Sequence, residues 1–228
     1  MKLSVIIPAY NEEAHITETI SAVKNHGGHN VHEIIIADGQ SSDATVAAAR
    51  SAGARVVTSP QQGRAPQMNY GAQQASADVL YFLHADSIPP PAFATQVTKA
   101  VQAGFPAGCF QLTFDQDHPL LDTYAWFTRF DLDAFRFGDQ SLFITSETFD
   151  KIGGFRDDHI VMEDNEIVRR IKKDYPFIIL DDSVETSARS YRQTGVVKLQ
   201  LVFVLIYILY FMGVEQEVLA SIKSEIVS

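Results

Sequence analysis

The chain has 228 residues, enough for one large domain or for one domain with an appendage. Its composition, 46% hydrophobic and 20% charged, is globular and excludes a disordered chain. The formal charge of −10 argues against nucleic acid as a partner, and the single cysteine, Cys109, excludes an internal disulfide and fits a reducing compartment.

Leu3 to Ile7 reads as a first buried strand, broken at Pro8; this short run is not a signal peptide. Asn11 is an N-cap candidate, with Glu12 and Glu13 suited to the first turn of a helix that carries Ile16, Ile20 and Val23 and ends at His26-Gly27-Gly28. A second buried strand, His32 to Ala37, ends at Asp38-Gly39. Helix from Ser41 to Ala52, strand from Arg55 to Thr58 and helix from Arg64 to Ala75 follow. This alternation predicts βαβ units and a parallel sheet.

Val79 to Leu83 is wholly apolar, with the length of a strand buried on both faces. It stops at His84-Ala85-Asp86, and Pro89-Pro90-Pro91 follows. The carboxyl end of a central strand is where open α/β sheets bind ligands. A helix from Pro91 to Ala103 leads to Gly108–Phe114, where Phe110, Leu112 and Phe114 alternate with polar residues as in a half-buried strand. The alternation of strand and helix then lapses in an aromatic stretch, residues 115–140, with Trp126, Phe127, Phe130, Phe135 and Phe137. The second half of the protein is therefore placed from about residue 107, with a strand at Ser141–Thr145, helices at Ser146–Ile152 and Glu163–Lys173, and a last strand at Phe177–Leu180.

Leu201 to Met212 is twelve apolar or aromatic residues, and Val196 to Val214 is nineteen interrupted only by Lys198, Gln200 and Gly213. A spanning helix needs about 20 apolar residues, so this one is marginal. A helix that is apolar all round is buried in something: bilayer, a partner subunit or the domain's own core.

Several residues invite two readings each. Asp38 is either a turn residue or a carboxylate for base or ribose donors at the sheet edge. Arg64, near a helix start, is either a phosphate ligand or a solvated arginine. His84 and Asp86 are competent for Mg²⁺ or Mn²⁺, since one carboxylate plus a diphosphate suffices for such an ion. Glu163 and Asp164 suit the first turn of a helix through its dipole, and a carboxylate there could serve as general base. Gly138-Asp139-Gln140 reads as a polar, acceptor-facing turn.

Taken together, Val5–Glu12, Ala37–Asp43, Gly63–Asn69 with Gly71, Phe82–Ser87, Gly138–Gln140 and Met162–Arg169 resemble the family 2 inverting glycosyltransferases of GT-A fold, over roughly residues 3–195. The small bacterial branch with a His-Ala-Asp metal motif, and a segment like Ser187–Arg192, is the nearest likeness. The resemblance implies an α/β, GT-A-type single domain (residues 1–195, with a nucleotide-binding half at 1–106 and an acceptor half at 107–195). Its central sheet is mostly parallel with flanking helices, and a C-terminal apolar helical appendage occupies residues 196–228. It implies transfer of a single sugar from a nucleotide-diphosphate sugar, a UDP-sugar favoured, to an acceptor hydroxyl with inversion, using Mn²⁺ or Mg²⁺.

Donor contacts are implied at Pro8, Tyr10, Glu12, Asp38, Arg64, Asn69, His84 and Ala85, with the metal at Asp86 and His84. The base is implied at Asp164 with Glu163 beside it, and acceptor contacts at Gly138, Asp139, Gln140, Arg189 and Arg192. The sequence departs from the family pattern where Gly39 replaces a second acid and His84 replaces the first acid of the D-x-D motif. The Gln-x-x-Arg-Trp motif of processive relatives is absent, which points to one sugar per acceptor. A lipid-linked acceptor, and a cytoplasmic protein peripheral at the inner face of the membrane or paired with another copy through residues 196–214, fit the apolar run. The alternatives are a sugar nucleotidyltransferase, against which Pro8–Glu12 stands in place of a Gly-rich basic loop, and a non-catalytic nucleotide-sugar-binding or membrane assembly protein.

Overall fold

The computed structural model describes residues 1–136 and 138–227; Phe137, in the aromatic stretch above, and Ser228 lie outside the described residues. The first half alternates as β1 (Leu3–Ala9), α1 (Ile16–Gly27), β2 (Val31–Asp38), α2 (Thr45–Ser51), β3 (Arg55–Thr58), α3 (Arg64–Gln73) and β4 (Val79–Phe82). Then come β5 (Ser87–Ile88), α4 (Phe93–Gln102), β6 (Ala107–Phe114), α5 (Pro119–Phe127), β7 (Leu142–Thr145), α6 (Ser146–Ile152), α7 (Glu163–Asp174) and β8 (Phe177–Thr186). Three helices follow: α8 (Arg189–Thr194), α9 (Val196–Phe211) and α10 (Gln216–Val227).

The strands form one mixed, mostly parallel sheet in the order β3-β2-β1-β4-β7-β6-β8-β5. β1 lies parallel to β2 and β4, while β7 runs antiparallel between β4 and β6. Alternation of side chains across β1 and β4 divides the core. Leu3, Val5, Ile7, Val79 and Tyr81 face α1 and α4, packing on Ile20, Phe93 and Val97. Ile6, Leu80 and Phe82 face α3 and α7, packing on Met68, Ile167 and Ile171. With both faces covered, the two strands read as continuous apolar runs. Close packing of α3 on β1 requires Gly71, where a Cβ would stand 2.6 Å from Ile6 Cγ2.

The structure corrects several local expectations. α1 begins at Ile16, not after Asn11: Asn11 has φ +54°, and its side chain accepts from Ser42 N–H at 2.9 Å. Glu12 N–H donates to Thr45 Oγ1 and Glu13 accepts from Ala44 N–H, so the loops before α1 and α2 lace together and the acids stay outside the helix. β6 is buried on both faces in its first four residues: Ala107 packs in the cluster with α3 and α7, and Phe110 in that with α1 and α4. β8 runs six residues past Leu180 to Thr186, with a register irregularity opposite Phe110 and Gln111. α5 and the short β5 were not anticipated, although Pro119 at a helix start, capped by His118, is a recognisable signal.

The C-terminal run folds back on the domain. α9 buries Leu199, Val202 and Ile206, while Val197, Leu201, Val204, Leu205, Ile208 and Met212 remain exposed. Its 16 residues span about 24 Å, short of the ~30 Å hydrocarbon layer. Among the described residues no helix is long and apolar enough to cross a membrane.

Candidate active site

Three parallel strands deliver their carboxyl ends to one region. β1 continues into Pro8-Ala9-Tyr10, β2 ends at Asp38, and β4 runs into His84-Ala85-Asp86. The last segment is held from two sides: Thr19 Oγ1 donates to the Ala85 carbonyl at 2.7 Å, and Ser187 N–H donates to the Asp86 carbonyl at 3.2 Å. β5 pairs with β8, where Ser87 and Thr186 hydroxyls meet at 2.9 Å, so α8 begins beside Asp86.

Two cavities meet here. The smaller, about 220 Å³, is lined by Pro8, Tyr10, Glu12, Gln67 and Ala85. The larger, about 400 Å³, has a polar end with Asp139, Glu163, Asp164 and Lys223 and an apolar end with Phe114, Tyr124, Phe135, Leu199 and Phe203. Arg64, His84, Asp86 and Arg189 line both. Ion pairs bridge the shared wall. His84 Nδ1 lies 3.0 Å from Asp139 Oδ1, and Arg64 Nη1 lies 3.8 Å from Glu163 Oε1. Arg189 grips Glu12 and stands 3.5 Å from Asp86 Oδ2.

The local electrostatics separate the acids. Burial, and then the charge of Glu163, push the Asp164 carboxyl up to about 7. Burial acts in the same direction on Asp139, but the hydrogen bond and charge of His84, together with the charges of Arg64 and Lys223, outweigh it and hold that carboxyl below the ordinary range. On His84, burial and the Arg64 charge oppose protonation; the hydrogen bond and charge of Asp139, together with the charge of Asp164, outweigh them and raise its pKa. Carboxyls driven apart in this way suit different acid–base roles. Asn165 ties the two halves of the site together, its amide donating from α7 to the Asp133 carbonyl (2.6 Å) and the Arg136 carbonyl (3.2 Å) ahead of Asp139.

Not every residue singled out in the sequence lies at these cavities. Asp38 is 2% exposed and accepts from the N–H groups of Gln40 (3.1 Å) and Ser41 (3.2 Å), as a turn residue does, and it lines neither cavity. Asn69 is a clip: Phe155 N–H donates to its carbonyl at 2.9 Å, and its amide donates to the Phe155 carbonyl and to Asp157, both at 2.8 Å. Gln140 turns inward, bonded to Arg136 and the Phe135 carbonyl. Arg192 pairs with Asp115 at 2.9 Å. Gly138 shares its short 3-10 turn with Asp139.

Gln67 was not anticipated. Its amide donates to the Ala9 (2.9 Å) and Ala37 (2.7 Å) carbonyls and so pins the ends of β1 and β2. A Cβ at Gly39 would stand 2.8 Å from Gln67 Oε1, so a side chain at position 39 would press on the amide that holds the two strand ends. Lys223, from the far end of the chain, was also missed; nothing in the amphipathic α10 sequence announces where that helix packs.

For a divalent cation the donor set is sparse. Among the described residues no three His, Cys, Asp or Glu side chains converge as a ready-made cage. Asp86 offers a carboxylate at the junction of the cavities, and His84 Nε2 is buried with no hydrogen-bond partner among the described residues. Such a pair fits an ion that takes the rest of its shell from a bound diphosphate.

The sheet order, with an antiparallel strand inserted after β4 and a polar cleft at the strand ends, is that of a GT-A-type glycosyltransferase domain. Residues 4–159 match the family model described as glycosyl transferase family 2, and the chain belongs to that family.

A dolichol-phosphate mannosyltransferase of Pyrococcus furiosus is 29% identical over 109 residues, 46% of this chain and 31% of that protein. A mannosyltransferase from Pyrobaculum calidifontis, solved with GDP-Man and Mn²⁺, superposes with a TM-score of 0.67 at 17% identity, covering 86% of this chain and 62% of that one. Glucosyl-3-phosphoglycerate synthase from Mycobacterium tuberculosis, solved with Mn²⁺, UDP and phosphoglyceric acid, gives 0.61 at 19% identity, covering 81% and 69%. At those identities the solved structures show a shared fold. The match to the curated Pyrococcus relative spans less than a third of that protein's length.

Proposed function

We propose that this protein transfers one sugar from a nucleotide-diphosphate sugar, a UDP-sugar favoured, to an acceptor hydroxyl with inversion. The observation that carries the reading is Asp164. A carboxyl raised to about 7 lies in the larger cavity, which shares His84, Asp86 and Arg64 with the smaller one.

The smaller cavity takes the nucleotide diphosphate. Pro8, Tyr10, Glu12 and Ala85 form its walls, and Arg64 offers a cation to the phosphates. Asp86, with His84 lining the same two cavities, would hold Mn²⁺ or Mg²⁺, which when bound neutralises charge on the departing diphosphate. The acceptor enters the larger cavity. Asp164 accepts the proton of its hydroxyl, and the oxygen forms a bond to the anomeric carbon from the face opposite the diphosphate. The bond from that carbon to the diphosphate oxygen breaks, and the nucleotide diphosphate leaves with the electron pair. The anomeric centre is thereby inverted. Glu163, paired with Arg64, keeps a second negative charge beside Asp164 and so sustains its raised pKa.

The exposed row Val197, Leu201, Leu205 and Ile208 on α9, continued by Met212 just past its end, favours a membrane surface beside the larger cavity, with a lipid-linked acceptor and a cytoplasmic protein held peripherally at the inner face. α5, which packs against α9, adds exposed Leu120 and Trp126.

The test is a panel of UDP-, GDP- and dTDP-sugars with Mn²⁺, read by release of nucleotide diphosphate and by the anomeric configuration of the product. No release from any donor, release undiminished in Asp164→Asn, or a retained configuration would sink the assignment.

A further inference from the structure

α7 starts from an unusual backbone position. Met162 has φ +65°, a left-handed conformation that a residue with a side chain holds only when its surroundings impose it. Glu163 and Asp164 follow immediately, so the setting of Met162 aims both acids.

The restraints on this loop come from the far end of the chain. Gln216 Oε1 accepts from two consecutive backbone N–H groups, Ile160 and Val161, each at 3.0 Å. His159 Nε2 meets the Tyr210 hydroxyl at 3.2 Å. Leu219 is fully buried against Val161 and Met162, together with Val202 and Ile206 of α9. Arg169 of α7 lies over the Phe211 ring, 4.6 Å from its centroid. His159 to Met162, immediately before Glu163, and Arg169, six residues after it, are therefore gripped by one helical pair.

Resting on the reading of Asp164 as base, we propose that the α9–α10 pair is a built-in clamp of the active site and that Gln216 is a positioning residue for the loop that aims Asp164. Gln216 lines neither cavity, and its side chain bonds the loop before Glu163, so its effect falls on the chemical step and not on donor binding. A displacement of about 1 Å in a reacting group is enough to slow an enzyme by as much as ~10²-fold.

Gln216→Leu removes the acceptor oxygen at similar volume; Gln216→Glu keeps acceptor oxygens. Tyr210→Phe removes one hydroxyl and serves as a milder variant should Gln216→Leu fold poorly. Amide hydrogen exchange across residues 159–163, followed by mass spectrometry, reports the clamp without turnover. Initial-rate kinetics report kcat and donor KM.

The expected result is exchange faster by about tenfold or more in Gln216→Leu, with kcat down about tenfold or more and donor KM within about twofold. Gln216→Glu recovers both, and Tyr210→Phe moves both partway. Unchanged exchange in Gln216→Leu overturns the clamp. Faster exchange with unaltered kcat overturns the positioning role. A wild type that transfers from no donor sinks the functional reading instead, and the exchange result then decides the clamp by itself.

Discussion

Arg189 grips Glu12 through two contacts, Nη1 to Oε2 at 2.8 Å and Nη2 to Oε1 at 2.5 Å, across 177 residues of sequence. The same guanidinium stands 3.5 Å from Asp86. One side chain thus joins the loop after β1, the end of β4 and the start of α8, at the wall common to both cavities. The fork of a guanidinium matches a carboxylate in a way that an ammonium does not.

Arg189→Lys and Glu12→Gln are each expected to raise donor KM by about tenfold or more, in line with about 1.5–3 kcal/mol for a hydrogen bond to a charged group. Combined, they cost less than the sum, because either change already breaks the pair. Initial rates over a range of donor concentrations give both numbers. Strict additivity would mean that the pair does not act as a unit.

Asp164 sets the pH behaviour. Its folded pKa of about 7 lies above the ordinary 3.8, so the folded state holds the proton more tightly. The stability this contributes is complete below the unfolded value and is lost as pH rises through 7. Asp164→Asn, which never ionises, therefore gains melting temperature relative to wild type as pH goes from 4 to 8. In wild type, kcat/KM climbs with pH on a limb near 7 as the base deprotonates, and Asp164→Asn loses that limb with about 10²–10⁴ of the rate. Thermal scans and a pH–rate profile check the two halves of this prediction independently.

Asn69 is a structural clip between α3 and the turn after α6. Asn69→Ala leaves the Phe155 N–H and carbonyl without their partner and is expected to cost about 1–3 kcal/mol. Urea denaturation should show the loss while donor KM stays near that of wild type. A large KM change at unaltered stability would return Asn69 to the donor site.

The outer face of α9 can be altered without touching the larger cavity. Leu201→Gln together with Leu205→Gln removes apolar surface that is 65% and 44% exposed, so little folding stability is at stake. Flotation with vesicles of bacterial-type lipid is expected to drop by about tenfold, while turnover of a soluble donor stays unchanged. Equal flotation of the double variant and wild type would remove the membrane from the account.

Much of the sheet was legible in the sequence because its central strands are buried on both faces. β1, β2 and β4 announce themselves as short apolar runs, and the residues placed at their ends, Pro8, Tyr10, Glu12 and His84 to Asp86, do meet at one cavity. The same logic misled where side chains, not helix signals, organise the backbone. Asn11 and Glu13 look like a helix start, yet they bind the loop before α2. Asn69 and Arg192 are polar residues near implied motifs, but each is engaged by a neighbour that only folding brings close, while Gln140 is held locally by Arg136, four residues before it.

The sequence by itself determined the alternation of strands and helices from β1 to β4, the strand ends that carry the polar cleft, and the acid pair opening α7. These follow from local period and composition, which a short window of chain contains. Only the tertiary structure decided that Arg189 closes on Glu12, that His84 belongs to Asp139, and that the apolar C-terminal run seals the larger cavity with one face. Those facts depend on contacts across many tens of residues. An apolar helix buries one side as readily against bilayer, partner or its own domain, and packing against Val161 and Met162 is what selected the last.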